Sequence, residues 1–142
     1  MNERSVYNYF GRGMTGRCLI TRIETCTGNG VSDACVHLSG KHVWIEFKYI
    51  AGWPSRESTT VEFPLRPEQR FWLNSRGRLA GNCFCFIRIA DDFFLMPWDV
   101  AIHVHDVGFK KAEWLKYPFY WHKKVDFDCV YKILKGGDHE TE

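Results

Sequence analysis

The chain has 142 residues, 45% of them hydrophobic and 25% charged, with a formal net charge of +2. These proportions describe one folded domain with its own core and exclude a low-complexity or intrinsically disordered chain. No apolar run reaches membrane-spanning length, MNERSVYNYF lacks the apolar centre of a signal peptide, and none of the six cysteines forms a C-x-x-C pair. Membrane helices, zinc ribbons and thioredoxin-type redox motifs are thereby set aside, and reduced thiols in an intracellular protein are the expectation.

In chain order, residues 3–10 read as a short helix with Asn2 as its N-cap, broken by GRGMTG (11–16). CLITRIETC (18–26) is β-branched enough for a strand, closed by TGNG (27–30). VSDACVHL and KHVWIEFK then form a hairpin if Ser39-Gly40 is its two-residue turn. Leu38 then faces Lys41, and counting outward sets Asp33 across from Glu46. Like charges in directly opposed positions are destabilising. Period-two alternation puts Trp44, Glu46 and Lys48 on one face and Val43, Ile45 and Phe47 on the other. Asp33, Glu46 and Lys48 therefore converge, and a divalent cation is the natural remedy for two facing carboxylates.

AGWPSRESTTVEF (51–63) reads as a loop with a short strand at its end. Residues 64–81 read as a helix with Pro67 in its first turn, Phe71, Trp72 and Leu79 on its apolar faces, and Gly81 at its end. NCFCFIRIA (82–90) is a buried strand with Cys83 and Cys85 on one face, Asp91-Asp92 a turn and FFLMPW (93–98) the returning strand. The order helix, three strands, helix, two strands predicts an α/β (α+β) fold around a central mixed sheet. Beyond it, 101–109 reads as strand or loop, 110–124 holds a short helix ending before Pro118, and VDFDCVYKIL (125–134) alternates like a strand. The polar tail GGDHETE (136–142) is expected to be disordered.

Asp33 followed by Glu46-Phe47-Lys48 resembles the PD-(D/E)XK nuclease signature, with Ser32 where that family often has proline. TRIET, GNGVSDACV, HVWIEFK, LRPEQRFWL and GNCFCFIRI are similar in order and spacing to its VRR-NUC and Holliday-junction-resolvase-like branch, which has small phage-encoded members. The resemblance covers about residues 19–97. It implies a restriction-endonuclease-like αβββαβ core within one domain (1–135), with 98–135 as a C-terminal extension. It further implies Asp33 and Glu46 as ligands of Mg²⁺ (Mn²⁺ substituting), the Phe47 carbonyl completing the shell, Lys48 as the catalytic lysine and Gln69 beside them. Glu24 and Glu3 compete for an additional upstream acid, with Glu24 preferred.

Seven lysines against three acids in residues 107–135 suit a polyanionic partner, as a solvated face also would. Arg66, Arg70, Lys110, Lys111, Lys123 and Lys124 are the expected nucleic-acid contacts, with WLKYPFYW between the lysine pairs serving to stack on bases, as core or as a dimer interface. His103 and His105 on one face of a strand would be poor evidence for zinc without a third ligand. The function expected is a Mg²⁺-dependent DNA endonuclease, structure-specific toward branched DNA by family analogy and a two-fold dimer if it cuts junctions symmetrically. The alternative is a non-catalytic nucleic-acid- or protein-binding module on the same fold.

Overall fold

The computed structural model describes residues 1–23, 30 and 32–136. Helix α1 (Glu3–Gly13) starts where the sequence places it: Asn2 Oδ1 accepts the Ser5 N–H and Ser5 Oγ accepts the Asn2 N–H, both at 3.0 Å. The helix outruns its predicted end because Gly11 and Gly13 stay helical. Strand β1 (Leu19–Arg22) pairs antiparallel with β2 (Ala34–Leu38), and β2 with β3 (Lys41–Ile50). Ser39 and Gly40 both take positive φ (50° and 76°), the requirement of a two-residue hairpin turn, and Leu38 partners Lys41 as expected. The ladder ends at Ala34–Ile45, so Asp33 and Glu46 are not a formal cross-strand pair. Asp33 instead leaves the strand at the level of Glu46.

After a short β4 (Thr60–Val61), helix α2 (Pro67–Ala80) begins on its proline and ends at Gly81 in the left-handed conformation. Its buried residues are Gln69, Leu73 and Gly77, whereas Phe71 and Leu79 are 73% and 90% exposed. Of the three residues expected on its apolar faces, Trp72 packs half-buried against the upper core, while Phe71 and Leu79 face solvent because Gln69, Leu73 and Gly77 form the buried stripe. A Cβ at Gly77 would collide with the Trp98 ring, so this glycine is what lets α2 lie close against α3 (Trp98–Val107).

Strand β5 (Cys83–Ile89) runs parallel to β3 and antiparallel to β6 (Asp92–Pro97). The β5–β6 turn is Ala90-Asp91 rather than Asp91-Asp92: Ala90 accepts φ of 55°, and Asp92 opens β6 with its carboxyl inside the fold. Residues 98–107 are helical, where a strand or loop was expected. β7 (Phe109–Lys110) pairs with β4, α4 (Lys111–Leu115) ends before Pro118, and β8 (Tyr120–His122) joins the sheet beside β6. Of residues 125–134, read as a strand, 127–134 belong to α5 (Phe127–Lys135), which is capped by the Asp126 side chain. In both misread segments a short run fits period two and helical period alike, and burial on one side decides for the helix.

The result is an α+β fold on one six-stranded mixed sheet, ordered β1-β2-β3-β5-β6-β8, with a separate β4-β7 pair. Below the sheet, α1 and α5 seal a core containing Phe10, Ile45, Phe47, Phe86 and Val130. Above it, α2, α3 and α4 cover Cys83, Cys85, Ile87, Phe94 and Met96. Residues 98–135 supply one strand and three helices that pack on this sheet.

Candidate active site

Lys48 and Glu46 emerge on the upper face of β3, at the level where β2 has already ended. Both are buried, at 6% and 3% exposure, an expensive position for charged groups unless they are paired. Lys48 Nζ lies 3.5 Å from Glu46 Oε2, 3.4 Å from Gln69 Oε1 and 3.8 Å from Glu3 Oε2. Gln69 reaches the site from the first turn of α2. Its Nε2 donates to Glu46 Oε2 at 3.0 Å while its Oε1 accepts the Arg66 N–H at 2.9 Å. One amide therefore caps the helix and locks the carboxylate, so its helix-capping and site roles are the same geometry.

Asp33 closes the cluster from the other side. Its Oδ2 accepts the Phe47 N–H at 2.8 Å, which fixes the carboxylate against β3 just where β2 releases the chain. The Phe47 ring points the opposite way, into the lower core against Tyr7, Phe10 and Phe86. That packing pins the backbone between Glu46 and Lys48. It also anchors α1, whose first turn carries Glu3 to Lys48.

Electrostatically the cluster is short of positive charge. Burial, then repulsion from Asp33, push the Glu46 carboxyl up to about 8, against the attraction of Lys48. Burial also raises Asp33, against the Phe47 hydrogen bond and the charges of Lys48, Arg22 and Arg66. Glu3 is raised by burial and by Asp33, with Lys48 and Arg66 opposing. Three acids sharing one buried ammonium all resist ionisation, and a bound cation would invert that logic.

Among the described residues, no three of His, Cys, Asp and Glu are gathered into a ready-made metal cage. Asp33 and Glu46 as a carboxylate pair still fit Mg²⁺, an ion that keeps several waters and takes one or two carboxylates together with substrate phosphate oxygens. A cavity of about 40 Å³ opens beside Asp33, lined also by Glu3, Arg4, Tyr7, Arg22 and Phe47 but not by Glu46. The far larger cavity, about 640 Å³, lies at the other end of β3 around Lys41, His42 and Val43. The cluster is a small polar notch, away from that larger cavity.

Of the two acids that compete for the upstream position, Glu24 lies outside the described residues, and Glu3 Oε2 lies 3.8 Å from Lys48 Nζ. Arg66 sits at the rim, its charge felt by Glu3 and Asp33 and its Nη1 3.5 Å from Glu68 Oε2. Arg70 turns instead to α3, bound through two nitrogens by Asp106 at 2.8 and 2.6 Å. Lys111 Nζ lies over the Trp53 ring, Lys110 enters β7, and Lys123 and Lys124 follow β8. In WLKYPFYW, Trp114 is fully buried and stacks edge-on against Phe94, which makes it core. His103 and His105 stand on a helix rather than a strand. His103 packs on Phe109, and His105 Nδ1 contacts the Phe63 carbonyl at 3.0 Å.

One polar cluster had no counterpart in the sequence reading. Buried Asp92 receives the Trp53 indole N–H, the Tyr120 hydroxyl and His122 Nδ1, each at 2.8 Å. Only the double aspartate hinted at it, and that was read as a turn.

No known family profile matches the chain, and no curated protein is significantly similar to it in sequence. No helix among the described residues is long and apolar enough to cross a membrane.

Proposed function

We propose that the protein is a Mg²⁺-dependent endonuclease of the PD-(D/E)XK type that hydrolyses phosphodiester bonds in DNA, branched DNA being the first substrate to try. The observation that carries this reading is the convergence of Asp33, Glu46, Lys48 and Gln69 from three separate segments on one notch. A fold with no use for that cluster gains nothing by burying two carboxylates and an ammonium together, since an apolar trio of similar volume would be at least as stable.

Asp33 and Glu46 would hold the metal with the Phe47 carbonyl, and Glu3 stands close enough to Lys48 to tune it. The ion, Mg²⁺ or Mn²⁺, supplies polarisation of the scissile phosphate and a more acidic water. The protein's own groups do the positioning. Gln69 fixes the Glu46 carboxylate, and the Phe47 N–H fixes that of Asp33. Lys48 Nζ is held by Glu46 and Gln69 so that its charge would face the attacking water or the charge growing on phosphate. Arg66 at the rim is placed for a flanking phosphate.

The test is cleavage of labelled linear duplex, single strand, four-way junction and RNA hairpin in Mg²⁺, Mn²⁺ or EDTA, with Lys48→Ala alongside. Cutting that requires both metal and Lys48 upholds the reading, and the preferred substrate names the biology. Folded protein that cuts none of the four refutes it, and the binding-module alternative takes its place.

A further inference from the structure

The upper helical layer covers only part of the sheet. Its core starts at β3 and runs through β5 and β6, and none of its members comes from β1 or β2. Pairing places Leu19, His37 and His42 in one row across β1, β2 and β3, and Thr21, Cys35 and Trp44 in the next. Among the described residues no helix roofs these rows. Leu19 is 68% exposed, Thr21 and His42 are exposed, and the His37 and His42 rings touch at 4.5 Å. Just past the end of the β2–β3 ladder stand Asp33 and Glu46, so this strip of sheet runs into the candidate active site over roughly 13 Å of β3.

Along its side stands α2. Gln69 at the site, Trp72 and Arg76 follow one another at helical spacing on the flank toward the strip. Trp72 meets Trp44 edge-on at 5.4 Å, and the Arg76 guanidinium lies 5.3 Å from the Trp44 ring and 5.7 Å from the Trp72 ring. Trp44 belongs to the second row of the strip, so Arg76 stands beside that row. Around α2, Arg66 and Arg70 are each paired with an acid, whereas Arg76 and Arg78 have no ion pair among the described residues. Arg76 is exposed and, among the described residues, has no carboxylate partner. The indole Nε1 of Trp44 is buried beside it without an acceptor. A planar cation resting on two indoles, with two imidazoles and, among the described residues of the strip, no acid before Asp33 and Glu46, matches a ligand with flat π faces and negative charge.

We propose that this strip of β1–β3 beside α2 is the track of a single nucleic-acid strand, which stacks a base on Arg76 and Trp72 and delivers its backbone to the Asp33–Glu46–Lys48 notch. The destination of the strand rests on the nuclease reading, whereas its binding does not. Unpaired bases expose the faces that such a platform needs, and a duplex hides them. A duplex would also call for a stripe of cations along both backbones, and the strip offers one arginine and two histidines.

Fluorescence anisotropy on the intact protein in EDTA tests this with end-labelled DNA single strand, RNA single strand, blunt duplex and duplex bearing a single-stranded arm. Arg76→Ala, exposed and therefore safe for folding, is expected to weaken single-strand and arm binding about tenfold while leaving blunt duplex unchanged. Arg76→Lys restores the charge but not the plane and recovers only part of that loss. Trp72→Phe keeps an aromatic face and stays within a few fold of wild type. Comparison of the DNA and RNA arms identifies the sugar. Equal weakening on blunt duplex, no weakening by Arg76→Ala, or no binding of either single strand overturns the track. The two readings fail separately. Arg76-dependent strand binding by a protein that cleaves nothing keeps the track and removes the nuclease. Cleavage of arm-bearing DNA with a KM untouched by Arg76→Ala does the reverse.

Discussion

Glu46 and Asp92 are both buried carboxylates on the upper face of one sheet, and their surroundings have opposite character. Glu46 has one amide donor at 3.0 Å, an ammonium at 3.5 Å and two further acids within electrostatic reach. Burial and Asp33 win, and its carboxyl rises to about 8. For Asp92 burial works in the same direction, but His122, Trp53 and Tyr120 outweigh it and hold the carboxyl below its ordinary range. Burial alone therefore does not decide what a buried acid is for, and the count of donors does. Asp92 is satisfied and clamps three segments together: the loop after β3, the start of β6, and β8. Glu46 is left wanting a cation, as candidate functional groups are.

The sharpest way to break this contrast is to remove each carboxylate and ask what is lost. Glu46→Gln keeps the shape and removes the charge, and Lys48→Ala removes the ammonium. Each is expected to lower metal-dependent cleavage by about 10²–10³-fold or more, the scale of losing one preorganised charged group at a reacting centre. Circular dichroism and DNA affinity should stay close to wild type. Near wild-type turnover in either variant would remove the cluster from the mechanism.

Asp92→Ala should show the reverse profile. It strands the Trp53 and Tyr120 donors and frees β8, so a loss of about 2–4 kcal/mol in urea unfolding is expected. Cleavage per folded molecule should hold. A loss below about 1 kcal/mol would mean that the three hydrogen bonds contribute little more than those a water would make.

How much of this was readable in advance follows from what each cluster is made of. The Glu46 site is local: one turn at Ser39-Gly40 sets the register, alternation along β3 sets the face, and Pro67 starts the helix that brings Gln69. All three signals lie within a stretch of continuous sequence. Glu3 was harder, because its approach depends on how α1 packs through Phe10 and Tyr7 onto Phe47. The Asp92 cluster joins residues 53, 92, 120 and 122, and no periodicity links them. It was missed for the same reason that α3 and α5 were: segments of about ten residues fit either period until the sheet shows which side is buried. Gly77 belongs here too, since its use is visible only against Trp98.

The two acids also titrate with opposite sign. The folded-state value of Glu46 is raised, so its ionisation costs stability progressively as pH climbs from about 4.5 toward about 8 and no further beyond. Glu46→Gln is therefore expected to gain on wild type between pH 5 and pH 8, by on the order of a few kcal/mol, in thermal or urea unfolding without metal. Mg²⁺ should close that gap by stabilising wild type alone. Asp92 is depressed, so its contribution is complete above about 3.8 and disappears as pH falls through its lower folded value. Parallel stability profiles for wild type and Glu46→Gln across pH 5 to 8 would contradict the contrast at its origin.

The smallest effect expected is that of Arg70→Ala, and it bears on which arginines of α2 face a substrate. Arg70 spends its guanidinium on Asp106 in a two-pronged pair, yet both side chains are more than a third exposed, at 38% and 40%. Water screens such a pair, and the freed Asp106 can be solvated where it stands. Unfolding free energy should therefore fall by no more than about 1 kcal/mol. Single-strand affinity should not weaken, since the side chain lies on the α3 flank of the helix rather than beside Trp72 and Arg76. Removal of Arg70 even leaves an unpaired acid on that flank, so a several-fold loss of nucleic-acid binding would show that the strand crosses α2 on the other side, and Arg70 rather than Arg76 would be its contact.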